Sequence, residues 1–227
     1  MKLLAVDTAT EACSAALLID GNIRQRYRIA PREHSHLILP MIDELMAEAA
    51  LTPAQLDCLA FGRGPGAFMG IRIAAGVVQG IGFAHDLPVV PVSTLRALAL
   101  NAMQQSGATQ VLSAIDARMQ EVYWAAWRRQ DDTLSEILPE SVCKPEAVAL
   151  PADGKWLGAG SGWHSYAGVL QQRLGPLLER SLGECLPSAQ AIAQLARPEF
   201  EQGKAVAADA AVPVYIRDNV AAKPKNR

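Results

Sequence analysis

The sequence has few cysteines and no long uninterrupted apolar run. Its four cysteines lie far apart among 227 residues, so we expect neither a disulfide framework nor a zinc ribbon. The most apolar stretch, residues 68–84, is interrupted by Arg72 and Gln79, so we predict no membrane-spanning segment. Lys2 and four apolar residues before Asp7 are too few for a secretory signal. These absences exclude the secreted, membrane-spanning and zinc-ribbon classes and predict a cytoplasmic protein with buried, reduced cysteines.

The chain also has no excess of basic charge. Its formal net charge is −2, which excludes a basic surface that clamps nucleic acid along its whole length, although a local basic patch could still contact RNA. Half of the residues are hydrophobic and 19% are charged, so burial can offset the loss of chain entropy. The length then suits one large domain or two small lobes.

The first hundred residues predict a three-stranded antiparallel meander followed by alternating helices and strands. A continuous apolar run at residues 3–6 ends at Asp7, and Asp20-Gly21 supplies a turn between the next two strands. A strand at residues 58–61 then leads into the loop Gly62-Arg63-Gly64-Pro65-Gly66. The other predicted elements are strands at residues 13–19, 23–29 and 89–92 and helices at residues 35–49 and 68–84, with Ser35 as the first cap and Ser93 or Thr94 capping a later helix.

The same pattern restarts after residue 110. A strand at residues 111–115 again ends in an aspartate, Asp116, and a second glycine loop follows at residues 158–162. Because the aspartates and the loops recur in the same order at similar offsets, we predict a duplicated β-β-β-α-β-α unit. The fold class is therefore α/β, with two lobes of mixed sheets and a cleft between them. The predicted boundaries are 1–104 for the first lobe, 105–187 for a reduced second lobe, and 188–227 for a helix, capped by Ser188, and a tail that pack back on the first lobe.

Two aspartates are candidates for chemistry in that cleft. Asp7 and Asp116 end buried strands, where their carboxylates could hold Mg²⁺ through water above a nucleotide's phosphates. The alternative is that each aspartate caps the following turn by accepting backbone N–H groups. The sequence leaves both interpretations open. The full set of cleft candidates is Asp7, Thr8, Gly64, Gly66, Asp116 and Gly160, with ATP or ADP and magnesium as possible ligands.

The first glycine loop fits the G-x-G-x-x-A form of a dinucleotide-binding loop, in which backbone N–H groups approach an anion at a helix N-terminus. However, the strand at residues 89–92 ends in Ser93-Thr94 rather than in the acid that binds ribose. Three antiparallel strands at the start also contradict a Rossmann unit, and no Walker A lysine follows the loop. A tight turn is therefore the favoured interpretation of this loop.

The helix at residues 68–84 carries two rows of small residues at a spacing of four, one from Gly66 to Ala74 and one from Gly76 to Ala84. Interior glycine costs about 0.5–1 kcal/mol relative to alanine, so close approach of another backbone is expected to offset it. The helix is apolar around most of its circumference, which predicts burial on two sides. Either an internal neighbour or another protein chain could cover the second side. The partner-interface candidates, which include the helix at residues 35–49, are Leu37, Met41, Leu45, Met69, Gly70, Ile73, Val77, Gly80 and Ile81.

Other polar clusters carry weaker signals. Arg24, Arg26 and Arg28 share one face of a strand and could contact RNA phosphates, together with the basic residues Lys223, Lys225 and Arg227 at the chain end. A solvated edge that discourages strand pairing is the favoured alternative. His34 and His36 have no third ligand nearby in sequence and make a poor zinc site, so no metal site and no catalytic residue are assigned.

Several of these segments together resemble the TsaB family, also called YeaZ, of bacterial tRNA threonylcarbamoyladenosine biosynthesis proteins. The resemblance covers essentially the whole chain in order and is specific in combination. It rests on residues 4–10 (LAVDTAT), 31–34 (PREH), 62–66 (GRGPG), 115–118 (IDAR), 121–123 (EVY) and 213–217 (PVYIR). It implies the actin-like, duplicated ribonuclease-H-type fold, in agreement with the internal repeat.

The resemblance further implies a role as a partner subunit. TsaB proteins belong to a larger group that includes the catalytic paralogue TsaD, and they join TsaD and the ATPase TsaE. Together these proteins transfer a threonylcarbamoyl group to the adenosine beside the anticodon in tRNAs reading codons that begin with A. The histidine pair that binds the TsaD metal corresponds here to Thr94 and Leu98, which cannot bind a transition metal usefully. The resemblance therefore implies a non-catalytic subunit that forms homodimers, pairs with TsaD through first-lobe helices and meets tRNA through the complex.

Two alternatives from other classes remain. One is an autonomous actin-like ATPase or small-molecule kinase that uses Asp7, Asp116 and both glycine loops. The other is a peptidase, since relatives of TsaD were once grouped with metallopeptidases, but the missing metal ligands argue against it.

Overall fold

A computed structural model describes residues 1–131 and 133–217 of the chain. The first sheet contains five strands in the order β3-β2-β1-β4-β5. β1 pairs antiparallel with β2 and parallel with β4, so the meander comes first and helical crossovers follow it. The strands are β1 (Lys2–Asp7), β2 (Ala12–Ile19), β3 (Asn22–Ile29), β4 (Cys58–Gly64) and β5 (Val89–Ser93).

The second sheet repeats this topology. Read from the corresponding edge, its order is β8-β7-β6-β9-β10, with β6 antiparallel to β7 and parallel to β9. The predicted duplication is confirmed, and the antiparallel start excludes a Rossmann unit. β10 is a polar edge strand that the sequence pattern did not predict. The strands are β6 (Gln110–Asp116), β7 (Val122–Gln130), β8 (Thr133–Cys143), β9 (Trp156–Ala159) and β10 (Leu178–Leu182).

In the described part of the chain, six α-helices pack on the sheets. Ser93 and Ser188 cap α3 and α6 as predicted, each accepting a hydrogen bond from the backbone N–H three residues later. The predicted cap at Ser35 is wrong, because α1 already begins at His34 and the residue before it, Glu33, makes no side-chain cap bond. The helices are α1 (His34–Glu48), α2 (Phe68–His85), α3 (Thr94–Ser106), α4 (Ser161–Ser165), α5 (Ala167–Leu174) and α6 (Ala189–Glu201).

The elements form five layers with three apolar cores. α1 and α2 cover one face of the first sheet, and α4 and α5 cover the outer face of the second. Between the sheets lie α3 and α6, whose buried residues form one continuous core with both inner faces. Because side chains alternate along a strand, Leu3 and Ala5 face this shared core while Leu4 and Val6 face α1 and α2. The two lobes therefore share a helical layer.

The two small-residue rows of α2 lie on different faces of the helix. A Cβ built on Gly70 would lie against the carbonyl oxygen of Thr8, and one on Gly66 against that of Ala9, so the first row approaches the turn after β1 very closely. A Cβ on Gly76 or Gly80 would meet no atom within 4 Å. The second row faces outward, so no neighbour among the described residues covers it, and burial of this side by another protein chain stays a prediction. Length and composition alone would let α2 cross a membrane, and its inner residues pack against the first sheet.

The last described segment, residues 211–217, is called the strap here. The Val214 N–H donates to the carbonyl oxygen of Arg63 at 2.8 Å, which holds the strap against the first lobe. Arg217 donates to the Ala117 carbonyl at 3.1 Å and forms an ion pair with Glu121, both in the second lobe. The strap therefore connects the two lobes beside the first glycine loop.

Candidate functional site: the inter-lobe cavity and the outer face of α2

A cavity of about 890 Å³ lies where the two lobes meet, at the carboxyl ends of β1 and β6. Its walls come from the turn after β1, the start of α2, the turn after β6, α4 and the strap. Ligand sites in two-lobed α/β proteins favour this position. The predicted cleft is therefore present, and the question is which predicted residues reach it.

Asp7 does not reach the cavity. Its side chain is 1% exposed, and its Oδ1 accepts a hydrogen bond from the Ala9 N–H at 2.7 Å. Its Oδ2 has no hydrogen-bond partner, and a Cβ on Gly62 would lie 3.0 Å from it. Burial in these apolar surroundings raises the pKa of the Asp7 carboxyl to about 7, against the opposing effect of the Ala9 hydrogen bond. Asp7 acts as the cap of a turn, and the alternative of a magnesium ligand facing the cleft has no support in this position.

Asp116 does line the cavity, but its carboxylate is already engaged. Oδ1 accepts from the Arg118 N–H at 2.9 Å and from the Tyr166 hydroxyl at 3.2 Å, and Oδ2 pairs with the Arg118 guanidinium at 2.9 Å. Three consecutive residues here, Arg118, Met119 and Gln120, adopt positive φ. This turn places the Arg118 guanidinium against the Asp116 carboxylate, which is the group that a hydrated metal would need.

The remaining cleft candidates serve mainly as packing positions. Thr8 is fully buried and donates its hydroxyl to the Gly70 carbonyl at 2.7 Å. Gly64 has positive φ and lies beneath the strap, since its Cβ would be 3.0 Å from the Val214 carbonyl oxygen. Gly160 also has positive φ, and its Cβ would press on the Ala114 carbonyl. Of the six candidates, Gly66 and Asp116 line the cavity and the other four do not.

The predicted interface residues divide into three groups. Met69 and Gly80 are exposed on α2, whereas Leu37, Ile73, Val77 and Ile81 are half-buried on α1 and α2. Met41 is 9% exposed and packs into the core under α1. Leu45 and Gly70 were wrong as interface residues, because Leu45 is fully buried and Gly70 contacts the turn after β1. The exposed part of the set, together with Leu39 and Phe83, forms the outer face of α1 and α2.

The other polar clusters resolve into structural roles. Arg26 forms ion pairs with Glu44 and Glu48 of α1, so the arginine row on β3 is partly used within the fold. His34 is buried, and its Nε2 makes a hydrogen bond with the Thr10 carbonyl oxygen at 2.8 Å. Residues 1–131 and 133–217 contain no cluster of three His, Cys, Asp or Glu residues that could hold a metal. The predicted basic residues Lys223, Lys225 and Arg227 lie outside the described residues.

The sequence analysis missed a cluster at the mouth of the cavity. The Arg72 guanidinium lies 3.6 Å from the centre of the Phe68 ring, and its Nε donates to the Tyr215 hydroxyl at 2.8 Å. The rings of Phe68 and Tyr215 are 5.8 Å apart. Tyr215 and Arg217 are two residues apart, so an extended tail would put both side chains on the same side, and the sequence could have predicted that much. Nothing local indicated that this tail returns to α2.

Thr94 and Leu98, the two positions at which the resemblance implied a loss of metal ligands, are fully buried. The Thr94 hydroxyl oxygen accepts from the Gly64 N–H at 3.2 Å. Leu98 packs beneath Gly160. These side chains join the two glycine loops to the shared core and do not line the cavity.

Two sheets of identical topology around a shared helical layer, with a cleft at the ends of β1 and β6, define a duplicated, actin-like ribonuclease-H-type α/β protein. Residues 27–225 match the family model "TsaD: tRNA N6-adenosine threonylcarbamoyltransferase". Relatives that match nearly the whole of the given sequence show that the chain belongs to the TsaB family, also called YeaZ.

The relatives that support this assignment span nearly the whole chain. The tRNA threonylcarbamoyladenosine biosynthesis protein TsaB of Escherichia coli K12 is 41% identical, over 98% of this chain and 97% of the relative. The protein of the same name from Haemophilus influenzae Rd is 40% identical, over 97% of this chain and 95% of the relative. The structure of YeaZ from Pseudomonas aeruginosa superposes with a TM-score of 0.89 at 44% identity, covering 94% of this chain and 99% of YeaZ.

Proposed function

We propose that the chain is a non-catalytic subunit required for the formation of threonylcarbamoyladenosine in tRNA, and that it acts by docking a TsaD paralogue. The TsaB proteins of Escherichia coli and Haemophilus influenzae are named for this biosynthesis. The matched family model describes the transferase itself, so a partner that shares this fold is the expected neighbour. TsaE would join the same complex in the cytoplasm, and tRNA would be reached through it.

One observation carries the docking proposal. The outer row of α2 is glycine at Gly76 and Gly80, where no atom lies within 4 Å of a built Cβ. Two interior glycines weaken the helix by about 0.5–1 kcal/mol each, and no contact within residues 1–131 and 133–217 compensates for this cost. Exposed Met69 and Phe83 lie on the same face, each seven residues from Gly76 toward one end of the row, at 65% and 86% exposure. A flat groove between large apolar side chains suits a second helix that packs at close range.

The same geometry supports a subunit without transferase chemistry. The positions of the metal-binding histidines hold Thr94 and Leu98, and both are packed in the core. Asp7 is buried away from the cleft, and Asp116 is paired with Arg118. The residues present offer a docking face and no set of catalytic groups, so the activity of the complex would reside in the partner.

Replacement of Gly80 by arginine tests the docking face. The side chain would project into open space, so the fold is retained, but its charge and bulk would lie in the middle of the groove. We expect co-purification with TsaD to weaken by at least about tenfold and the modification of tRNA by the reconstituted complex to fall with it. Gly168→Arg is the matched control, because Gly168 is also an exposed helical glycine with nothing within 4 Å, on α5 of the other lobe.

Unchanged assembly of Gly80→Arg with TsaD, in protein of wild-type thermal stability, would contradict the docking face. Equal losses in Gly80→Arg and Gly168→Arg would show an effect of added charge alone. If the homodimer is also lost in Gly80→Arg, self-association uses the same face as the heterodimer.

A further inference from the structure

The inter-lobe cavity has the properties of a small-molecule site that differs from a magnesium–nucleotide site. Its volume of about 890 Å³ lies in the usual range for ligand sites, roughly 300–1,000 Å³. Large apolar side chains surround its mouth and remain exposed, including Ile29 at 63%, Phe68 at 54% and Met119 at 72%. An apolar opening of this kind favours a ligand with a planar hydrophobic body.

One cation in the cavity wall has no charged partner among the residues that the structure describes. Of the three arginines that line the cavity, Arg118 pairs with Asp116 and Arg217 pairs with Glu121. Arg72 forms no ion pair with any residue in the described ranges, and Nε is its only nitrogen that donates a hydrogen bond to them. The two terminal nitrogens of this guanidinium are thus available to a ligand.

The position of Arg72 is fixed before any ligand arrives. Its guanidinium is stacked on Phe68 and held by the Tyr215 hydroxyl, so little side-chain entropy remains to be lost on binding. Two terminal N–H groups in one plane match the two oxygens of a carboxylate or phosphate. The first turn of α2, at Ala67 and Phe68, borders the same space and has no side-chain cap, and the positive end of its dipole favours an anion there.

The acidic groups argue against a metal-dependent ligand. Three acidic residues line the cavity, and each has a partner: Asp116 and Glu11 pair with Arg118, and Glu184 lies 2.6 Å from Nδ1 of His164. Asp7 is buried outside the cavity. The strap covers Gly64, where a phosphate loop would need open backbone. A ligand in this cavity must therefore bind through apolar contact and Arg72 rather than through magnesium.

We propose that the inter-lobe cavity binds a small aromatic anion without a metal, with a planar ring against the apolar mouth and a phosphate or carboxylate on Arg72. Phe68 and Tyr215 supply the aromatic surfaces, and α2 supplies the positive end of its dipole. The proposal does not rest on the docking face, since it concerns the isolated chain. Failure of one proposal leaves the other unaffected.

Calorimetric titration of the full chain with two probes tests this site. AMP carries a phosphate on an aromatic base, and indole-3-acetate carries a carboxylate on an aromatic ring, so the two arms separate the anionic groups. We expect saturable binding of at least one probe with a Kd below about 1 mM in the presence of EDTA. Arg72→Gln is expected to weaken it by at least about tenfold, because a charge-assisted bidentate contact is lost.

Two further variants make the result specific. Arg28→Gln removes the same charge from an exposed position on β3, and it is expected to leave the affinity within about twofold of the wild type. Ala67→Trp places a large side chain at the exposed cavity mouth and is expected to abolish binding while circular dichroism stays unchanged. The proposal is overturned if neither probe binds, if binding requires Mg²⁺, or if Arg72→Gln binds as tightly as Arg28→Gln.

Discussion

Gly70→Ala will destabilise the protein by about 3 kcal/mol or more, although it adds only one methyl group. The new Cβ would overlap the carbonyl oxygen of Thr8, which is backbone and cannot rotate away. Relief requires α2 to move from the turn after β1, which would also strain the hydrogen bond from the Thr8 hydroxyl to the Gly70 carbonyl. Urea unfolding followed by circular dichroism measures the change in the free energy of unfolding.

Gly76→Ala is the matched control on the same helix. The added methyl group would meet nothing within 4 Å, so the gain in helix propensity should stabilise the chain by about 0.5–1 kcal/mol. Opposite signs for the two variants would confirm that one small-residue row is a packing contact and the other is open. Destabilisation of similar size in both variants would contradict this division of α2.

Asp7→Asn will remove a pH dependence from the stability of the protein. In the unfolded chain an aspartate loses its proton near its ordinary pKa of 3.8, whereas burial holds the proton on folded Asp7 up to a pKa of about 7. Between these values the folded state binds more protons than the unfolded state, so stability falls as pH rises. Between these two pKa values the free energy of unfolding falls by up to about 4 kcal/mol in total. Above the pKa of the folded state it falls no further.

Asparagine keeps the shape of Asp7 and its acceptor for the Ala9 N–H, but it has no charge to bury. We expect the free energy of unfolding of Asp7→Asn, minus that of the wild type, to increase steadily from about pH 4 to pH 7 and then to level off. Asp43→Asn, which removes an exposed carboxylate from α1, is the control for the loss of a carboxylate at the protein surface. A flat difference for Asp7→Asn would show that Asp7 is ionised in the folded protein throughout.

The elements with local signals were the ones that sequence alone could predict. Alternating and continuous apolar runs gave most of the strands, the side chains of Ser93 and Ser188 gave two helix starts, and the paired aspartates and glycine loops indicated the duplication. These signals are carried by neighbours in the chain, so they survive without knowledge of the tertiary contacts. Edge strand β10 had no such signal, because its residues are mostly polar and partly exposed.

The site could be predicted only in part, since its geometry depends on distant contacts. An aspartate at the end of a strand can either reach a cleft or cap a buried turn. For Asp7, the buried position depends on its close contact with Gly62 of β4. The small-residue rows of α2 were visible, but which row faces inward depends on where the turn after β1 lies. Arg72 and Tyr215 are 143 residues apart, and no spacing rule connects them.

The position of α6 has a consequence for synthesis of the chain. Most of the inner face of the first sheet, including Leu3 and Ala5, is covered by α6, which begins more than ninety residues after β5. While the second lobe is still being translated, the nascent first sheet therefore presents an apolar surface that its own lobe cannot close. Such a surface is a target for chaperones and a risk for aggregation, and it disappears only when residues 189–201 have left the ribosome.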